Sequence, residues 1–247
     1  MVHSTLFNFL WTAKHGSPAE KAAALVAAIA HLQSLSSPDT GIQLTYRGPS
    51  GKHGWEVLHL LALFFSRCEQ VASFLSLVIE RGRESCDTAV MMSLRTILGE
   101  TPLHCFANVC SDLSLTKMVV REFPPSLTVL DNDGRTPLRS TERIYNGAQE
   151  RVVFFRAASA AFNASNLVSL QALCDGSSPY LSREIRRQAM ALRAAVAISL
   201  NRQEEAPSAL SSAEAGVALS LLERLRDFGR VGNSSDLLRV VLEYVGP

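Results

Sequence analysis

Apolar residues recur along this chain at the three- and four-residue spacing of helices, in paired blocks divided by Gly and Pro. Leu6 to Trp11 forms one apolar block closed by Gly16. Ser17-Pro18-Ala19-Glu20 then restarts a helix with a cap, a proline at its first position and an acid in its first turn. Leu25, Ile29 and Leu32 share one face of this second helix. Residues 36–53, rich in Ser, Pro, Gly and Thr, predict a loop, and the alternation in Ile42-Gln-Leu-Thr-Tyr46 allows a short strand within it.

Helical pattern returns at Leu58–Ala62 and at Val71–Ile79, the latter ended by Gly82. Arg83–Leu98 holds Met91, Met92, Leu94, Ile97 and Leu98, too apolar for a solvated loop, and predicts a short helix packed on the body. Helices are predicted over Leu115–Phe123, stopped by Pro124-Pro125, and over Gln149–Phe155 and Leu167–Leu173. Ser182 opens another, with Ile185, Ala189, Leu192 and Val196 on one face. A capping box, Ser211 with Glu214, precedes Val217–Phe228, and Ser235–Tyr244 closes the chain.

One motif occurs twice. Gly99-Glu100-Thr101-Pro102-Leu103 is repeated 35 residues later as Gly134-Arg135-Thr136-Pro137-Leu138. Glycine permits φ > 0, threonine caps a helix, proline costs nothing at its first position, and leucine begins the buried face. A third, degenerate copy starts at Gly54, where Glu56 and Val57 replace threonine and proline while Leu58, His59 and Ala62 remain, which predicts a weaker cap. In the Gly134 copy, Ser140, Thr141 and Glu142 stand where apolar residues are expected, and predict a poor packing face.

Thr101-Pro102-Leu103-His104-Cys105-Phe106-Ala107 resembles the signature of the ankyrin repeat family, whose units recur about every 33 residues. The resemblance implies an all-α solenoid with short β-hairpin turns. It divides the chain into divergent capping helices and a loop at 1–53, repeats at 54–160 and a helical extension at 161–247. It also implies a function: a non-catalytic scaffold that binds a protein partner through the turn tips and the inner faces of the first helices. The residues so assigned are Leu98 and Glu100 in one tip, and Asn132, Asp133 and Arg135 in the next. Arg135 and Glu100 are expected to project outward as opposite charges. The alternative is a regulatory subunit that blocks a partner enzyme.

Composition narrows the classes. The hydrophobic share of 47% supports a folded core, and the net charge of +1 gives no reason to expect nucleic acid or a membrane surface as partner. Arg183, Arg186, Arg187 and Arg193 read as the solvated face of one helix rather than a phosphate site. Cys68, Cys86, Cys105, Cys110 and Cys174 are odd in number and lack framework spacing, which suits free thiols in a reducing compartment; a cytoplasmic monomer is expected. His104 with Cys105 and Cys110 lacks the paired spacing of a closed zinc site. No nucleophile elbow, phosphate loop or HExxH motif occurs, so neither enzyme activity nor a cofactor is expected.

Overall fold

The computed structural model describes residues 4–46, 54–85, 88–110, 112–144, 150–176 and 181–191. The protein is all-α, and among the described residues there is no strand. Its helices are α1 (Thr5–Ala13), α2 (Pro18–Ser34), α3 (Ser37–Thr45), α4 (Val57–Leu60), α5 (Val71–Ser85), α6 (Thr88–Ser93), α7 (Pro102–Val109), α8 (Leu113–Glu122), α9 (Pro137–Ile144), α10 (Glu150–Asn163) and α11 (Leu167–Leu173). A further helix, α12, covers 181–191. α4 continues into a π-helical turn, Leu61–Phe65, and Pro124–Thr128 forms a 3-10 turn after α8.

α1 and α2 form an antiparallel pair. Ser4 caps α1 by accepting from the Phe7 N–H at 3.0 Å, while its hydroxyl donates to Gln43 Oε1 at 2.8 Å and ties α1 to α3. Ser17 and Glu20 complete the expected capping box on α2. Up to residue 46 the predicted loop and strand are replaced by α3, and the loop's remainder, 47–53, lies outside the described residues. Pro38 in its first turn and Asp39 beside it are helix-start residues, and Thr40, Gly41 and Leu44 are buried. Composition pointed to a loop because Thr and Gly are weak helix formers, and packing against α5 overrides that weakness.

α5 runs past Gly82 to Ser85, so this glycine is not a helix end. It is buried, and a Cβ there would sit 3.1 Å from the Met91 Cε, so its role is to let α6 approach. The predicted short helix in the Arg83–Leu98 stretch is α6, which buries Met91 and Met92. Ile97 and Leu98, read as packed, are 51% and 60% exposed.

α4 packs on α7 and α7 on α9, while α5 and α7 both contact α8, and α10 contacts α9. The predicted poor face of α9 packs well. Thr141 is fully buried, its hydroxyl donating to the Pro137 carbonyl at 2.8 Å, and Arg151 reaches from α10 to the Ala107 carbonyl at 3.1 Å. Thr141 is tolerated on this face because its hydroxyl bonds to a helix carbonyl, whereas the buried Ser140 hydroxyl has no partner. The expectations for Leu192 and Val196, for the capping box at Ser211 and for the last two helices concern residues outside those described, as do those for Cys86 and Arg193.

Candidate functional site

A glycine precedes each of α4, α7 and α9. Gly54, Gly99 and Gly134 have φ of +63°, +75° and +73°, the left-handed region that favours glycine, and the latter two lie in turns that are described in full. In the second turn, the Thr96 N–H donates to the Glu100 carbonyl at 2.9 Å, and the Thr96 hydroxyl accepts from the Leu98 and Glu100 N–H groups. Asp131 does the same in the third: its N–H donates to the Arg135 carbonyl at 2.9 Å, and Oδ1 accepts from the Asp133 and Arg135 N–H groups. The expected β-hairpins are thus tight turns without a ladder. Too few extended residues separate each turn from the next helix for paired strands to form.

The turns are joined to each other. The Asn132 N–H donates to the Leu98 carbonyl at 2.9 Å, and its side-chain amide donates to the Ile97 carbonyl at 2.8 Å. Histidine supplies a second link. His104 Nδ1 accepts from the Thr101 N–H at 3.2 Å, so Nε2 carries the proton and donates to the Arg135 carbonyl at 3.0 Å. One unit earlier, His59 repeats both bonds, to the Glu56 N–H and to the Glu100 carbonyl at 3.1 Å. Each histidine clasps its own helix cap and the following turn. Glu56 is fully buried at the start of α4, and its N–H donates to His59 Nδ1 at 3.4 Å.

Among the assigned residues, Leu98 is exposed at the tip and Asp133 is exposed beside it. Asn132 is exposed but bonded to the neighbouring turn. Arg135 does not project outward. Its Nε donates to the buried Asp131 carboxylate at 2.9 Å, and it also pairs with Asp133. Glu100 is half-buried, with Asn108 donating to it at 3.4 Å. Burial, then the nearby Asp131 charge, pushes the Glu100 carboxyl up. Burial also pushes the Asp131 carboxyl up, but the hydrogen bonds from Arg135 and Asp133 outweigh it and hold it below the usual range. The sequence reading missed Thr96 and Asp131. Their signal was an Asx- or Thr-type acceptor three residues before a turn glycine.

Burial pushes the Cys105 thiol far up, that of Cys110 to about 11 and that of Cys174 to about 12, so these remain neutral thiols. Among the described residues, no group of three His, Cys, Asp or Glu side chains could hold a metal ion. Nor is any described helix long and apolar enough to cross a membrane.

No model of a known protein family matches the chain, and neither does any curated protein. The geometry alone must carry the functional reading.

The clasp makes stability depend on pH. Burial lowers the His104 pKa, against the opposing bond to the Arg135 carbonyl. The folded state therefore binds fewer protons than the unfolded one. The stabilisation is full above the unfolded value of about 6.5 and is lost as pH falls through the lower folded value. Thermal melts taken from about pH 7.5 down to about pH 5 should show a falling midpoint, and His104→Gln should lower the midpoint at the upper pH while flattening the slope. An equally steep slope in the variant would remove His104 as the cause.

Proposed function

We propose that this chain is a non-catalytic protein-interaction module, an ankyrin-like stack that presents its turns and first helices to a protein partner. The observation that carries the reading is the exposed apolar ridge on two turns fixed to one another. Ile97, Leu98 and Leu130 are 51%, 60% and 49% exposed. The Asn132 amide and the Arg95 guanidinium, which bonds the Leu130 carbonyl at 3.0 Å, hold their backbones in place. Apolar side chains on a rigid backbone bind with little ordering cost, and a ridge with no core role suits an interface. The repeating histidine clasps and cap positions support the stacked arrangement. Glu100, Asn132, Asp133 and Arg135 form the polar rim, with Arg135 acting through the acids it holds. The cytoplasm, where free thiols persist, is the compartment we propose.

Affinity capture with the full chain, run beside a Leu98→Asp, Leu130→Asp variant, tests this. Both side chains are exposed, so the variant should melt like the parent. A partner recovered by the parent should be depleted about tenfold or more, as expected when apolar anchors are lost. Equal recovery by a folded variant would show that the ridge is not the site.

A further inference from the structure

Among the described residues, serine or threonine stands before proline at Ser17-Pro18, Ser37-Pro38, Thr101-Pro102 and Thr136-Pro137. Each pair opens a helix, but the hydroxyls do different work there. Those of Ser17 and Thr136 accept from N–H groups of their own helix, Glu20 and Arg139, each at 3.3 Å. Thr101 is fully buried. Ser37 is exposed, and its hydroxyl donates instead, across to the Glu84 carbonyl of α5 at 3.0 Å. The segment around it is open to solvent: Gln33, Ser34, Ser36, Pro38 and Asp39 are exposed as well. Leu35 and Ser36, just before it, have extended backbone, with ψ of 146° and 159°. An exposed serine followed at once by proline, at the end of an extended linker, has the form of a substrate for a proline-directed protein kinase.

The groups around this hydroxyl oppose an added phosphate. Glu84 lies in the last turn of α5, so its carbonyl belongs to the negative end of that helix. The Glu84 carboxylate is on the same residue, and Asp39 stands in the first turn of α3. Arg81 is the cation at this junction, and it is already divided among three acceptors. Its Nη1 pairs with the Glu84 carboxylate at 3.1 Å, and its Nη2 donates to the Leu32 and Leu35 carbonyls at 3.2 and 2.6 Å. An anion that drew Arg81 to itself would take it from carbonyls at the end of α2.

We propose that Ser37 is a phosphorylation site whose phosphoryl group parts α3 from α5. The proposal does not depend on the protein-binding reading. In the transfer, Ser37 Oγ attacks the γ-phosphorus of ATP held by the kinase. The new Oγ–P bond forms as the bond from that phosphorus to the bridging β–γ oxygen breaks; ADP leaves, and the hydroxyl proton passes to the kinase's base. A phosphoserine carries a charge of about −1.5 to −2 at neutral pH. Its dianion has no proton to give the Glu84 carbonyl and is repelled by the end of α5. The α3 N-terminus accommodates the charge, so the contact across to α5 is what gives way. α3 has nine residues, and a helix so short is marginal once its neighbour is lost. Thr40 and Leu44, both fully buried, are the residues this exposes. At Ser17 the same modification would be milder, because a phosphate oxygen can accept from the Glu20 N–H as the hydroxyl does.

The test treats the full chain with a purified mitogen-activated protein kinase and magnesium ATP. Mass spectrometry maps the modified residues, and hydrogen exchange is followed in peptides covering α3, the last two turns of α5, and α10. The expected result is phosphate on Ser37, with exchange faster by about tenfold or more in α3 and the end of α5 and unchanged in α10. Ser37→Ala, an exposed substitution, should fold normally and show no response to the same treatment. Ser37 left unmodified overturns the proposal. So does phosphorylated Ser37 with unaltered exchange, or an alanine variant whose exchange the kinase accelerates equally.

Discussion

Replacing Gly99 with alanine destabilises the protein far more than the same replacement at Gly134. Both glycines have φ above +70°, so both variants share a left-handed backbone penalty of about 1–2 kcal/mol. The difference lies in the space around them. A Cβ on Gly99 would stand 2.4 Å from Asn132 Oδ1 and 2.7 Å from the Asn132 backbone nitrogen, whereas a Cβ on Gly134 meets nothing within 4 Å. Backbone cannot swing aside as a long side chain can. Relief requires the two turns to part, which breaks the bonds from Asn132 to the Leu98 and Ile97 carbonyls. Adding about 1 kcal/mol for each of these gives about 3–4 kcal/mol at Gly99, against about 1–2 kcal/mol at Gly134. Urea denaturation followed by far-ultraviolet circular dichroism measures both. Equal losses would mean that the turns are not seated against each other.

The second large effect comes from Arg83, in the part of α5 beyond Gly82. Its Nε donates to Glu122 Oε2 at 3.0 Å, and a second guanidinium nitrogen meets the other oxygen of the same carboxylate. The Glu122 side chain is only 2% exposed, whereas that of Arg83 is 36% exposed. Arg83→Met leaves a carboxylate enclosed at the α5–α8 contact. Fully buried pairs lose about 3–5 kcal/mol when one member is removed; solvent screening on the arginine side brings the expected loss to about 2–3 kcal/mol. Adding Glu122→Met should restore most of it, because the cost comes from the stranded charge. If Arg83→Met costs under about 0.5 kcal/mol, as an ordinary surface substitution does, the pair does not hold α5 to α8.

Helices were legible wherever cap, proline and apolar spacing agreed, as at Ser17-Pro18 and Thr101-Pro102. They were misread where tertiary contact decided. Gly82 is spelled like a helix end, and only the Met91 methyl shows that it serves close packing. Ser37–Thr45 is spelled like a loop and is helical because Leu44 and Gly41 pack inward. The turn glycines were legible from their repetition, since φ > 0 leaves few other residue types available. The orientation of the residues beside them was not. Arg135 points where Asp131 draws it, a partner whose inward orientation depends on the turn already being closed.

The histidine clasps also give the molecule a direction. His59 grips the turn of the second unit and His104 that of the third, while the third unit has Arg139 in place of a histidine. Each unit is therefore fastened forward to its successor, and the series of fasteners runs out at α9. Cooperativity built this way is transmitted between neighbours and is weakest where no histidine reaches onward.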